Sequence, residues 1–309
     1  MKRAFCRLTA ADVGVVVLIC ASLVLLVSSA GLYARGREAD VLCMANLRGL
    51  LQGWTLYHED HDGCLVGGSP YYTGRRTPYR WVEVPLFNAT DNPGAPPEGS
   101  GSPVPSSSQY TQEYRLNGIR AGKLFPYTGN EKLYHCPNDL YWKTRPPETA
   151  SYRSYTVAGL MNSEDFNHTG RVGWPGYVPE TGWRSVQMPD GTAKVLQLAQ
   201  KWQDISSPSR KCVFVEEDDA QHGASFPGGG FVLMGQGYWS WWDVPAYYHG
   251  DRSVLGFADG RADLHRWTDS RTLYLMRYQP DPATGVIPGP VQPNNPDLDF
   301  MCQGYMACD

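Results

Sequence analysis

Apolar and polar positions divide the chain into three regimes. Residues 13–33, VGVVVLICASLVLLVSSAGLY, form a run of 21 without a charged side chain. At about 1.5 Å per residue such a helix is roughly 31 Å long, near the thickness of a bilayer's hydrocarbon core. From 34 to 58 there is no proline, and Cys43, Leu47, Leu50, Leu51, Trp54 and Tyr57 recur three and four apart. That spacing predicts a helix with one apolar stripe, leaving Arg37, Glu38, Asp40, Asn46, Arg48 and Gln52 off it. Run and stripe read as one helix over 13–58, about 69 Å long at the same rise. HEDHDG, ending at Gly63, supplies the stop.

Beyond Gly63 short apolar runs alternate with turn residues. The pattern predicts strands over 211–216 (KCVFVE), 230–234 (GFVLM), 253–258 (SVLGFA) and 261–267 (RADLHRW). Asp259-Gly260 is expected to join the last two as a two-residue type I′ hairpin, with Phe257 opposite Ala262 and Leu255 opposite Leu264. Residues 88–108, NATDNPGAPPEGSGSPVPSSS, read as an irregular insertion. Residues 279–296 hold six prolines and read as an extended tail. The organisation expected is a cytoplasmic segment (1–12), a transmembrane helix (13–33), an amphipathic extension (34–63), an extracytoplasmic β-rich domain (64–278) and a Pro-rich tail (279–309).

Charge orients the apolar run. Lys2, Arg3 and Arg7 precede it with only Asp12 opposing, so the N-terminus is expected in the cytoplasm and the remainder outside. The expected location is the inner membrane, crossed once, with the C-terminal domain periplasmic or extracellular. Val27-Ser28-Ser29-Ala30 also imitates a signal-peptidase site, the competing reading of the same run. The net charge of −4 over 309 residues argues against a nucleic-acid partner. Cys43, Cys64, Cys136, Cys212, Cys302 and Cys308 lie beyond the run and are disulfide candidates with 15 possible pairings. Cys302 and Cys308 are the easiest local pair, and free buried thiols are the alternative. No C-x-x-C occurs, which argues against a sequence-local zinc site.

Several segments resemble bacterial type IV prepilin-like proteins and pseudopilins with the processing-associated H-x9-DG domain. Residues 34–63 are similar to that group's helix after the span, including Cys43-x-x-Asn46-Leu47. Tyr134-His135-Cys136-Pro137-Asn138-Asp139 looks like its Cys-Pro-x-Asp element, and residues 205–216 look like its Pro-Ser strand ending on an acid. His249, followed after nine residues by Asp259-Gly260, matches the H-x9-DG signature. The resemblance implies an α+β, pilin-like fold, in which a long N-terminal helix, half transmembrane and half amphipathic, packs on an antiparallel sheet with large irregular loops. It implies a cut by prepilin peptidase between Arg7 and Leu8, although Arg7 stands where the family has a small residue. Asp12 would take the place of the fifth-position acid that sets register during assembly. An interfacial Asp favoured by the helix dipole is the alternative.

Other clusters admit two readings each. Glu216, Glu217, Asp218 and Asp219, with His222 nearby, are either a solvated acidic loop or a calcium site of the kind the resemblance allows. His58, Asp60, His61 and Asp62 are either a polar helix-ending turn or a metal set. Tyr238, Trp239, Trp241, Trp242, Tyr247 and Tyr248 form the densest aromatic patch, suited to core or interface packing or to stacking on sugar rings. No nucleophile elbow, zinc-protease helix, phosphate-binding loop or dinucleotide fingerprint occurs. The expectation is a non-enzymatic, membrane-anchored subunit meeting itself or other pilin-like subunits in a type IV pilus or type II secretion-like pseudopilus. The alternative is a membrane-tethered carbohydrate-binding protein or hydrolase.

Overall fold

A computed structural model describes residues 10–68, 80–83, 112–139, 152–159, 161, 183–187, 193–217, 230–231, 233–235, 238–241, 243–278, 292–305 and 307–308. Within these, the side chains of 10–13, 26–37, 114, 183–187, 193–198, 234–235, 238–239 and 307–308 are left undescribed. Arg7, Leu8, Asp218, Asp219, His222, Trp242 and the 88–108 insertion lie outside the described residues, as does the side chain of Asp12.

Helix α1 runs Ala10–Asp60. It ends where Asp62 and Gly63 take positive φ, 53° and 81°, and the Gly63 amide returns to the His58 carbonyl at 2.7 Å. All six stripe residues, Cys43, Leu47, Leu50, Leu51, Trp54 and Tyr57, are at most 1% exposed. Asp40, read from sequence as off the stripe, is on it and 8% exposed. It precedes Cys43 by three positions and Leu47 by seven, so it shares their helical face.

The single-pass inner-membrane location is overturned. Among the described residues, no helix is long and apolar enough to cross a membrane.

The architecture is mixed α+β. Strands β1 (Tyr155–Ala158), β4 (Cys212–Glu216), β5 (Gly230–Phe231), β8 (Arg252–Phe257) and β9 (Ala262–Arg266) form one sheet in the order β5-β1-β4-β8-β9. The sheet is mixed where an antiparallel one was expected, because β1 pairs with β5 in parallel. Every residue of β4 is buried, as a central strand covered on both faces requires. Leu51 of α1 approaches this sheet closely: a Cβ on Gly256 of β8 would lie 3.1 Å from its Cδ1. A second sheet, β10-β3-β2-β7-β6, joins β2 (Trp183–Gln187), β3 (Ala193–Leu198), β6 (Met234–Gly235), β7 (Tyr238–Trp239) and β10 (Ala307–Cys308). The apolar run 230–234 is therefore divided between β5 and the start of β6, in different sheets.

The β8–β9 hairpin forms with a different turn from the one expected. Gly256 pairs with Ala262, Leu255 with Asp263 and Val254 with Leu264. The Gly260 amide donates to Phe257 O at 2.9 Å and the Phe257 amide to Arg261 O at 2.8 Å. Only Gly260 takes positive φ, 85°. This is a three-residue loop whose last residue is left-handed, whereas a type I′ turn needs two such residues. The register moves by one, which places Asp263 outward, opposite Leu255.

The remaining described α-helices are α2 (Gln112–Ala121), α3 (Phe125–Thr128), α4 (Ser270–Arg277) and α5 (Pro296–Gly304). Most of the proline-rich stretch lies outside the described residues, but its last residue, Pro296, opens α5. The Asn295 side chain caps that helix by accepting from the Asp297 and Leu298 amides at 2.8 and 3.1 Å. Leu298, Met301 and Tyr305 then enter the core.

Candidate functional site

One buried polar cluster lies where α1 crosses the sheet. Glu216 ends β4 and His249 lies in the turn before β8, where Gly250 takes φ 71°. Both side chains are 0% exposed. His249 Nε2 lies 3.1 Å from Glu216 Oε1, and its Nδ1 lies 2.6 Å from Asp40 Oδ1. The other Glu216 oxygen accepts from the Val254 amide at 2.7 Å. A single imidazole thus links the helix to the central strand.

The turn carrying Cys136 completes the cluster. The Cys136 amide donates to Ser154 Oγ at 2.9 Å, and Ser154 Oγ donates to Asp139 Oδ2 at 2.7 Å. Asp139 N returns to Cys136 O at 2.9 Å. This turn brings Cys136 to Cys43 of α1, and the two form a disulfide with Cα atoms 5.3 Å apart. It closes a separation of 93 residues, long enough to stabilise the fold by about 4.6 kcal/mol in the chain-entropy account. Cys136 Sγ is also 3.3 Å from His249 Nε2, and the side-chain Nδ2 of Asn138 is 3.1 Å from Nδ1.

The charges are strongly coupled. Burial disfavours the His249 cation, but the hydrogen bonds and charges of Glu216 and Asp40 outweigh it and raise its pKa. Asp40 has a second cationic partner at the surface, Arg252 Nη2 at 3.3 Å from Oδ2. Beside the cluster, Tyr155 donates to the Cys43 carbonyl at 3.4 Å. Burial first, then the Glu216 charge, pushes its phenol well above 10.

The sequence candidates are distributed differently from their spacing. His249 and Glu216 come together, while Asp259 and Gly260 lie in the hairpin loop, where Asp259 Oδ1 accepts from the Arg261 amide at 3.0 Å. Glu216 is committed to His249 and Val254, and Glu217 is buried, so neither belongs to a solvated acidic loop. His58 sits between Trp54 and Trp202, with ring centroids 4.9 and 5.8 Å away, and His61 stacks on Tyr57 at 4.1 Å. These are packing roles at a helix end. Trp241 is 0% exposed and meets Trp267 edge-on at 6.2 Å, which removes it from any sugar-stacking surface.

The disulfide candidates resolve in part. Cys43 pairs with Cys136, while Cys64, Cys212 and Cys302 are free thiols. The expected Cys302–Cys308 pair is therefore absent: Cys302 lies in α5, whereas Cys308 is held in β10 against Gln197 of β3. Burial pushes the Cys212 thiol up to about 12. Asp40 is the site residue that sequence reasoning missed. Its signal was available: positions 40, 43, 47, 50, 54 and 57 alternate steps of three and four, and one acid heads that row.

Compared with protein-family models, with curated proteins and with solved structures, the chain matches none.

Proposed function

We propose that this protein is a structural, non-enzymatic subunit of the prepilin-like or pseudopilin kind, assembling through α1 with further copies of itself. The observation that carries this reading is the division of α1 into two apolar parts. The stripe residues Cys43, Leu47, Leu50, Leu51, Trp54 and Tyr57 are buried within the subunit, whereas Val15 to Ile19 and Leu23 to Leu25 are 53–71% exposed. Large aliphatic side chains crowded on one exposed stretch of helix favour association, each contributing about 1 kcal/mol or more when covered. The occupant is the equivalent helix of another copy, packed side by side. The clasp at Asp40, His249, Glu216 and the disulfide would hold each helix at a fixed angle to its own sheet. Such rigidity suits a subunit that transmits load.

Cys20 lies within the exposed segment and is itself exposed, so it reports on this packing. A short bis-maleimide should join copies of the native protein into dimers, and Cys20→Ser should abolish them. Sedimentation of the native chain as a monomer, with no Cys20-dependent dimer, would overturn the reading.

A further inference from the structure

We infer that Cys43, Cys136, His249 and Glu216 form a metal site when the disulfide is reduced, with a zinc-like divalent cation as its ligand. One ligand atom from each of these four buried residues lies within 4.8 Å of all the others. Two thiolates, one imidazole and one carboxylate are a donor set that suits Zn2+. The residues come from four separated segments, which is why no ligand spacing is visible in the sequence.

The existing distances approach those of a tetrahedral centre. With metal–sulfur near 2.3 Å and metal–nitrogen or metal–oxygen near 2.0 Å, the sulfur–nitrogen edge is about 3.5 Å and the nitrogen–oxygen edge about 3.3 Å. Here Cys136 Sγ to His249 Nε2 is 3.3 Å, and Nε2 to Glu216 Oε1 is 3.1 Å. The same ring nitrogen faces both prospective co-ligands. On reduction the sulfurs need to separate to about 3.8 Å, the remaining edge of that tetrahedron, a change that side-chain rotation supplies.

Asp40 supplies the outer layer. Its Oδ1 lies 2.6 Å from His249 Nδ1, so Nδ1–H donates to a carboxylate while Nε2 faces the prospective metal and gives up its proton on binding. This carboxylate–histidine arrangement orients metal-bound imidazoles and raises their basicity. Electrostatics favour uptake as well. Releasing two thiols beside two carboxylates gives a buried cluster that a divalent cation neutralises far better than one imidazolium does.

The chemistry balances with a phosphine as the reductant. The phosphine loses two electrons and takes oxygen from water, the S–S bond breaks, and each sulfur gains a proton. The metal then displaces the protons on both thiols and on His249 Nε2. Oxidised clasp and metal site are thus alternative states of the same four residues. The inference is independent of the assembly reading: Cys20 cross-linking and metal binding can succeed or fail separately.

The test uses the full chain, reduced with a phosphine and titrated with Co2+ as a spectroscopic substitute for Zn2+. One cobalt per chain should bind, with visible tetrahedral bands and near-ultraviolet thiolate-to-cobalt charge transfer, and Zn2+ should displace it. Cys43→Ser should halve the charge-transfer intensity and weaken binding by more than tenfold. Asp40→Asn should weaken it about 10- to 100-fold with the bands retained, as expected of a positioning residue. Cys64→Ser should change nothing. If reduction unfolds the domain, Zn2+ should restore the folded far-ultraviolet circular dichroism. No charge transfer in folded reduced protein, no recovery by Zn2+ of unfolded protein, or a spectrum unchanged in both Cys43→Ser and Cys136→Ser would each overturn the inference.

Discussion

Asp40 and His249 are 209 residues apart in sequence, and their side chains meet at 2.6 Å. The contact fixes where along α1 the sheet sits, because Asp40 heads the buried stripe and His249 is tied through Glu216 to the central strand. It joins the disulfide in making helix and sheet one body.

Removing the imidazole leaves the fully buried Glu216 with only its bond from the Val254 amide. His249→Ala should therefore destabilise the oxidised protein by about 3–5 kcal/mol, the usual consequence of orphaning one partner of a buried ion pair. Asp40→Asn keeps the shape and loses the charge at a less buried position, so a smaller loss of about 1–2 kcal/mol is expected. Urea denaturation under oxidising conditions measures both. Equal, small effects would contradict the clasp.

His265 should make stability fall in mild acid. Its ring stacks on Phe300 at 4.0 Å, and burial lowers its pKa more than Asp297 and Asp263 raise it. A histidine that resists protonation when folded binds fewer protons than in the unfolded chain, so stability increases with pH across this range. Its contribution is complete above the unfolded value of about 6.5 and declines as pH falls from there toward the lowered folded value. His265→Phe should flatten that part of the pH–stability curve, as followed by thermal unfolding. A slope unchanged by the substitution would assign the acid sensitivity elsewhere.

Trp241 tests whether the aromatic patch belongs to the core. Its complete burial and edge contact with Trp267 predict that Trp241→Ala lowers stability by about 3–5 kcal/mol. A variant of unchanged stability would return the ring to the surface and revive the sugar-binding alternative.

Local periodicity by itself determined much of the framework. The stripe from Cys43 to Tyr57, the stop at Gly63, strand β4 and the pairing of β8 with β9 all follow from neighbours three, four or two positions apart, where sequence spacing dictates which side chains share a face. The site was legible only in fragments: His249 through its signature, Glu216 as the acid ending a strand, Cys43 and Cys136 as unpaired candidates. Tertiary structure alone decided that these fragments converge, that Asp40 joins them, that Cys302 stays reduced, and that β5 and β6 lie in different sheets. The reason is physical. Helix and strand periods act over a few residues, whereas the clasp depends on where whole elements dock, and docking is set by burial across hundreds of residues rather than by any local pattern.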